Sequence, residues 1–342
     1  MYLQTLSEGS VAYVCSGAGP SGGGVSPRGI RLRGQGIIEY VLIIAIIGLV
    51  IVFAGPGVAG AIRNQFNLVD NTVNSGTTGG VEGGGTTGGG STGADSAIVQ
   101  AAVTKDAKDW TLDDQKAVAE DIAKNGTSSL AFAKAEAAMN AGTKFSMKLT
   151  DGQTLEYKII GINHDDLADG SGKAGLTFLT TSTGISSRMN AKGGNAGGWE
   201  KSELRQKMNS GEIWNLMPSD FQSRVEPVRK LTNNVGGDDK NAAVTATSDK
   251  LFLLSYSEIV PTSYWASSYP WTSSEGTQYE AFKGKVTEND SGNSAIANGS
   301  RWWERSQLPY DSASFLVVNR NGNRSGSDFA KNSCCVCPAW SF

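Results

Sequence analysis

The 342-residue sequence predicts an α+β head that follows a single hydrophobic helix and a glycine-rich linker. Three observations lead to this prediction. Residues 40–62 carry no charge and are long enough to cross a membrane as one helix. Half of residues 75–94 are glycine, which favours a flexible chain. The eight tryptophans all lie at or after Trp110, so the apolar material for a large core is confined to the C-terminal two-thirds.

Composition excludes several classes of function. The only histidine is His164, which makes histidine-based catalysis improbable. The net charge is -3, and the mildly acidic body argues against a nucleic-acid partner. No phosphate-binding loop, zinc-protease motif or paired CxxC spacing occurs, so we expect neither a cofactor nor a metal ion.

These features divide the chain into five segments. In order, they are a cytoplasmic leader (1–34), a hydrophobic helix (35–70), a flexible Gly/Thr/Ser-rich linker (71–95), a small helical collar (96–142) and the α+β head (143–342).

The charges that flank the hydrophobic segment predict its orientation. Arg28, Arg31 and Arg33 precede the segment, and positive residues remain on the cytoplasmic side of a membrane. The head is then extracellular. Glu39 stands at the start of the apolar run, where an unpaired carboxylate is costly in lipid. We therefore expect Glu39 to have a specific function.

Residues 34–40, GQGIIEY, resemble the processing site of type IV prepilins, and the apolar run after them resembles the Flp/Fap (tight-adherence) pilins. The resemblance implies cleavage by a prepilin peptidase after Gly34, which makes Gln35 the new N-terminus. It also implies that Glu39 and Tyr40 act in assembly with other pilin subunits. The new amino group of one subunit can pair with Glu39 of the next. The alternative is a plain single-pass membrane anchor.

Local patterns predict the elements of the collar and of the head. Thr111 and Asp114 have the spacing of a capping box, and Gly142 ends a second helix. Residues 144–162 alternate around Asp151-Gly152 and predict a hairpin. Residues 197–228 predict helix with a second start at Ser219, 249–260 a buried strand, and 334–342 a final strand, with a turn at Asn321-Gly322.

The head also resembles an uncharacterised exported bacterial domain whose architecture is related to C-type-lectin-like and sulfatase-modifying-factor folds. The segments LEYKIIGINHDDL, GGWEKSELRQKMNS, SDKLFLLSYSEI and VCPAWSF carry this resemblance. The sulfatase-modifying proteins are oxidases that use paired cysteines, which makes Cys335 and Cys337 the residues of an enzyme alternative. Small buried thiols, or a disulfide, are the other interpretations of the crowded cysteines.

Aromatic residues supply the candidate ligand contacts. Tyr264, Trp265, Tyr269 and Trp271 lie in polar loops, where aromatic rings stack on sugars or anchor protein interfaces. Strand patterns flank Trp302 and Trp303, which are assigned to the core. The acidic clusters at 164–166, 237–239 and 288–290 are interpreted as solvated loops, because Ca²⁺ needs six to eight converging oxygens.

Together these observations predict a prepilin-like cell-surface protein, either a pilin or a minor pilus-associated adhesin, that is not an enzyme. It would cross the membrane once and bind an extracellular glycan or protein through its head. A membrane-anchored surface enzyme of the sulfatase-modifying type and a pseudopilin of an export system are the alternatives.

Overall fold

The computed structural model describes residues 93–181, 184–287, 292–324 and 326–342. Outside these ranges lie the predicted leader, hydrophobic segment and most of the linker, together with Gly34, Gln35, Glu39 and Tyr40. Within the described ranges, no helix is both long enough and apolar enough to cross a bilayer. Helices and sheets occur together there, which confirms the predicted α+β class.

Three helices come first: α1 (Gly93–Thr104), α2 (Leu112–Asn125) and α3 (Phe132–Ala141). Thr111 and Asp114 form the predicted capping box, in which each side chain accepts a hydrogen bond from the backbone N–H of the other residue. Gly142 ends α3 in the left-handed conformation, and its N–H donates to carbonyls of the last turn. The two predicted helix ends are therefore confirmed.

These helices pack directly against the sheets. Val118 and Ile122 of α2 are fully buried in the same apolar core as the strand residues. The two layers approach closely at Gly175, where a Cβ atom would overlap the carbonyl oxygen of Ala119. The helices of the predicted collar therefore share one core with the head.

The strands of the described residues are, in chain order, β1 (Lys144–Lys148), β2 (Thr154–Ile162), β3 (Leu176–Thr180), β4 (Ser186–Arg188), β5 (Val228–Asn233), β6 (Val244–Asp249), β7 (Trp302–Gln307), β8 (Ser314–Val318), β9 (Gly326–Phe329), β10 (Ser333–Cys335) and β11 (Ala339–Ser341). They form a four-stranded sheet in the order β1-β2-β3-β11, a five-stranded sheet in the order β4-β10-β7-β8-β9, and the pair β5-β6.

The two predicted hairpins and the tryptophan core are confirmed. Gly152 turns β1 into β2 with a φ of 86°, and Gly322 turns β8 into β9 with a φ of 83°. Trp302 and Trp303 on β7 are 1 % and 0 % exposed. In the four-stranded sheet, Trp340 lies opposite Phe178, and their rings stack with centroids 5.8 Å apart.

The predicted helical region 197–228 is broken into three short helices, α4 (Glu203–Asn209), α5 (Glu212–Leu216) and α6 (Ser219–Gln222). Ser202 caps α4 by accepting a hydrogen bond from the Arg205 N–H. Leu204 and Met208 are fully buried, as their four-residue spacing predicts.

The prediction of a buried strand over 249–260 is correct in its burial but wrong in its secondary structure. Residues 251–254 are buried, but Phe252 makes only an isolated bridge to Ala339. Helix α7 (Tyr256–Ile259) then begins with a capping box between Ser255 and Glu258. The carbonyl of Leu253 accepts a hydrogen bond from a buried arginine side chain instead of a strand neighbour.

The single final strand predicted over 334–342 is also wrong, because two short strands occur there. β10 belongs to the five-stranded sheet, whereas β11 belongs to the four-stranded sheet. Pro338 lies between them and has no N–H for a ladder hydrogen bond. Its carbonyl accepts hydrogen bonds from the Thr180 N–H and hydroxyl, so the chain crosses from one sheet to the other at this residue.

Candidate functional site

The aromatic residues predicted to contact a ligand differ in their exposure. Tyr264 is 73 % exposed and Trp265 is half-buried, whereas Tyr269 and Trp271 are buried. Tyr310, which is not among the predicted ligand residues, is 62 % exposed. Rings that a ligand can reach are therefore those of Tyr264, Trp265 and Tyr310, and we call these three residues the aromatic surface.

Ring-to-ring contacts connect the aromatic surface to buried neighbours. The ring centroids of Tyr264 and Trp265 are 5.7 Å apart, and those of Tyr269 and Tyr310 are 6.4 Å apart. Tyr269 and Trp271 form a small core of their own, against which Trp265 packs. Tyr310 thus rests on the buried Tyr269 ring, and Tyr264 rests on the half-buried Trp265 ring.

The loop between β5 and β6 accepts hydrogen bonds from Trp271 and Tyr310. Trp271 Nε1 donates to the Asp239 carbonyl at 3.0 Å, and the Tyr310 N–H donates to the Gly237 carbonyl at 2.9 Å. Tyr310 has a φ of 64°, which is uncommon for a residue with a Cβ atom. Asp238 and Lys240 of the same loop are exposed, so polar groups lie beside the rings.

A second feature is a set of buried polar side chains from separate parts of the fold, which we call the buried charge cluster: Asp165, Lys230, Glu258, Glu275, Tyr279 and Arg305. Lys230 Nζ lies 2.6 Å from Asp165 Oδ1 and 2.5 Å from Glu258 Oε1. The Tyr279 hydroxyl donates to Asp165 at 2.9 Å. Each carboxylate next to the lysine is therefore paired, as burial requires.

Arg305 connects four segments of the chain. Its guanidinium binds both oxygens of Glu258, at 2.5 and 3.0 Å. The same group donates to the carbonyls of Leu231, Leu253 and Glu275. Since Arg305 is fully buried, it is the cross-link between β5, β7, α7 and the loop that follows α7.

The surroundings of the three acids set their pKa values in different directions. Burial by itself would raise the pKa of Asp165, but Lys230 and His164 lower it to about 2. Burial likewise opposes ionisation of Glu258, and Arg305 with Lys230 lowers its pKa. Burial dominates at Glu275 and raises its pKa to about 7.

The buried charge cluster supports the aromatic surface. The Tyr256 ring on α7 contacts the Trp265 ring with centroids 5.0 Å apart, and Glu258 fixes α7 to Arg305. Glu275 Oε1 accepts a hydrogen bond at 2.8 Å from the N–H of Asn233, at the end of β5. The loops that carry the aromatic rings are therefore attached to the core through buried hydrogen bonds and ion pairs.

Burial separates the cysteines at the C-terminus. Cys334 and Cys337 are free thiols and are buried, whereas Cys335 is half-buried. Burial raises the pKa of the Cys334 thiol to about 12 and raises that of Cys337 as well. A thiol must ionise to act as a nucleophile, so burial disfavours nucleophilic chemistry at Cys334 and Cys337 at neutral pH.

The structure describes two of the three acidic clusters, at 164–166 and 237–239. The interpretation of 164–166 as a solvated loop is wrong for Asp165, which lies in the buried charge cluster because Lys230 supplies its counter-charge. Asp166, by contrast, is exposed and pairs with Lys173 at 2.9 Å. Residues 288–290 lie outside the described ranges. Among the residues that the structure describes, no group of three or more histidine, cysteine, aspartate or glutamate side chains could hold a metal ion.

Comparison with known proteins gives one match. Residues 174–341 match the model of DUF6273, a domain of unknown function. This region contains the aromatic surface and all members of the buried charge cluster except Asp165. The apolar core extends beyond it, because β1 and β2 precede residue 174 and pair with β3. No curated protein and no solved structure matches the chain.

Sequence reasoning found the aromatic loops but missed the buried charge cluster. Its members come from positions spread over 141 residues, from Asp165 to Arg305, so no local pattern joins them. A signal was present in the sequence. Lys230 follows Val228 by two positions, and Arg305 follows Trp303 by two positions. In a strand each charge therefore lies on the same face as a large apolar residue, which indicates a charge that points inward and needs a partner.

Proposed function

We propose that the chain is a prepilin-like cell-surface protein, a pilin or a minor pilus-associated adhesin, whose C-terminal head binds an extracellular glycan. The observation that carries the binding role is the exposure of Tyr264 and Tyr310 on loops that are fixed to the core. Large aromatic rings are normally buried, and exposed rings held in place are typical of binding sites.

The composition of the aromatic surface favours a glycan over a protein ligand. Tyrosine rings stack on the apolar faces of sugar rings, and neighbouring polar groups can bind the sugar hydroxyls. Asp238, Lys240 and Asn241 are exposed in the adjoining loop and provide such groups. We also infer a C-type-lectin-like architecture for the head, which the return of the C-terminal strand to the β1-β2-β3 sheet supports.

The pilin-like role rests on the sequence of residues 34–62. Gly34, Gln35, Glu39 and Tyr40 have the spacing of a prepilin processing site, and an uncharged segment follows them. The glycine-rich linker then separates the head from this segment. The proposed single-pass topology, with an extracellular C-terminus, follows from the preceding arginines.

Substitution of the exposed tyrosines tests the binding role. Tyr264→Ser and Tyr310→Ser should each weaken binding to extracellular polysaccharides at least tenfold, because a stacked aromatic ring contributes about 1 kcal/mol or more beyond its buried area. Binding is measured on a glycan array and then by titration with the best hit. Phe329→Ser removes an aromatic ring that is 52 % exposed elsewhere and is the matched control.

The result would oppose the proposal if the tyrosine variants bound as tightly as the control while unfolding at the same temperature. Binding to a purified protein but to no glycan would instead assign the aromatic surface to a protein interface.

Processing is tested by mass spectrometry of the surface-exposed protein. We expect its N-terminus to be Gln35, and we expect Glu39→Ala to reduce incorporation into filaments at least tenfold, since the amino group of Gln35 then loses its partner. Glu82→Ala, in the linker, removes an acid without affecting the pairing and is the control. A surface form that keeps the leader, or unchanged incorporation of Glu39→Ala, would leave only an anchored surface domain.

A further inference from the structure

A cleft of about 550 Å³ opens beside the end of α3. It shares no lining residue with the aromatic surface. Its lining includes Met139, Asn140, Lys158, Lys285, Asn293 and Ser294. This volume lies within the range of 300–1,000 Å³ that is usual for small-molecule sites. None of these residues belongs to the buried charge cluster.

Two lysines give the cleft its charge. Lys158 Nζ donates to the Ala295 carbonyl at 2.8 Å, and Lys285 Nζ is 3.5 Å from the Asn140 carbonyl. Neither ammonium group forms an ion pair with a carboxylate of the described residues, whereas nearby Lys144 pairs with Glu156 at 2.9 Å. Two positive charges therefore face one cleft, and their described contacts are carbonyl oxygens and, for Lys158, the Phe282 ring, whose centroid is 6.0 Å from Nζ.

The pKa of Lys158 reflects burial and repulsion from the neighbouring lysines. Burial is the largest cause, and together with the charges of Lys285 and Lys144 it lowers the pKa of Lys158 to about 8. Each ammonium group has three donors, and the contacts above use one on each. An anion placed between the lysines would remove the repulsion and accept the remaining hydrogen bonds.

We propose that this cleft binds a small sugar that carries a carboxylate, with Lys158 and Lys285 as the groups that hold the carboxylate. The other lining groups fit the rest of such a molecule. Asn140, Asn293 and Ser294 offer amide and hydroxyl groups for sugar hydroxyls, and Met139 with the adjacent alanines offers an apolar wall for the ring.

The walls of the cleft are held in a fixed shape, which favours binding without rearrangement. Asn293 Nδ2 donates to the Lys285 carbonyl at 2.6 Å, and Asn293 Oδ1 accepts from the Ala295 N–H at 2.9 Å. This one side chain therefore positions both the backbone of Lys285 and the carbonyl that binds Lys158. Preorganisation of this kind lowers the entropic cost of binding a small ligand.

Titration calorimetry of the full chain in mild detergent tests the proposal with three probes: glucuronate, glucose and inorganic phosphate. We expect glucuronate to bind measurably and to bind at least tenfold tighter than glucose, which has the same ring without the carboxylate. Phosphate should bind more weakly than glucuronate, because it lacks the ring. Glucose binding as tight as that of glucuronate, or phosphate binding as tight, would overturn the assignment.

Variants locate the site. Lys158→Met and Lys285→Met should each weaken glucuronate binding at least tenfold, whereas Lys331→Met, an exposed lysine elsewhere, should change it less than twofold. Equal loss in all three variants would indicate nonspecific charge attraction and contradict the site. Tyr264→Ser should leave glucuronate binding unchanged, so failure of this proposal is distinct from failure of the aromatic surface.

Discussion

Replacement of Arg305 with alanine is expected to lower the free energy of unfolding by about 3–5 kcal/mol, the usual effect of removing one partner of a buried ion pair. Among the residues that the structure describes, the change leaves the buried Glu258 carboxylate with Lys230 as its one positive partner. It also removes hydrogen bonds from the carbonyls of Leu231, Leu253 and Glu275. Urea unfolding followed by tryptophan fluorescence measures the loss.

Arg301 provides the matched control for Arg305. It lies four residues earlier, has a side chain that is 42 % exposed and pairs with Asp328 at 2.9 Å, so Arg301→Ala should cost less than about 1 kcal/mol. Arg305→Lys should recover only part of the stability, since one ammonium group cannot reproduce the bidentate contact of the guanidinium with Glu258. Equal effects of Arg305→Ala and Arg301→Ala would refute the cross-linking role.

The aromatic surface gives a second readout for Arg305. Because Arg305 anchors α7 and the following loop, its loss should also weaken glycan binding in the fraction that remains folded. Conditions of low temperature and no denaturant keep the variant folded for this measurement. Unchanged glycan affinity would show that the aromatic loops hold their position without the buried charge cluster.

Replacement of Glu275 with glutamine is expected to flatten the dependence of stability on pH between about 4.5 and 7. Burial raises the pKa of Glu275 from 4.5 to about 7, so the folded state holds a proton that the unfolded state has released in this range. A raised pKa of this kind stabilises the fold fully below pH 4.5, and the contribution is lost as the pH rises through 7. The shift corresponds to about 3 kcal/mol at most.

Glutamine is nearly isosteric with a protonated glutamate and carries no charge at any pH. It can keep the hydrogen bonds with the Asn233 N–H and the Ser306 hydroxyl. Urea midpoints of the two proteins at pH 5, 6, 7 and 8 should therefore diverge, with Glu275→Gln more stable at the higher values. Parallel curves would show that Glu275 titrates in the folded protein as it does in the unfolded chain.

The acids with lowered pKa values act in a separate range, so they do not interfere with this test. Asp165 and Glu280 both have pKa values of about 2 in the folded protein. A lowered pKa contributes stability above the unfolded value, near 4, and that stability is lost as the pH falls through about 2. Measurements at pH 5 and above therefore report mainly on Glu275 among these three acids.

Local sequence was sufficient where neighbouring residues determine the structure. The capping box of Thr111 and Asp114, the Gly142 helix end and the turns at Gly152 and Gly322 all depend on residues within a few positions of each other. The α+β class and the burial of Trp302 and Trp303 follow from the same periodic patterns. These predictions agree with the structure.

Local sequence failed where a distant group competes for the backbone. Residues 251–254 have the apolar character of a strand, but the carbonyl of Leu253 binds Arg305, some fifty positions away. The C-terminal segment divides at Pro338 because the two sheets meet there, and apolar patterning does not reveal which sheet receives each half. Exposure of Tyr264 and burial of Trp271, seven residues apart, likewise depend on packing from the β5–β6 loop.

By itself, then, the sequence determined the class of the fold and its helix ends and turns, because each depends on neighbouring residues. The prepilin-like role of residues 34–62 stays a prediction. Only the tertiary structure decided which aromatic rings face solvent, brought Lys158 and Lys285 to one cleft, and joined Asp165, Lys230, Glu258 and Arg305. The physical reason is that a buried charge must find its partner in space, and that partner can lie anywhere along the chain.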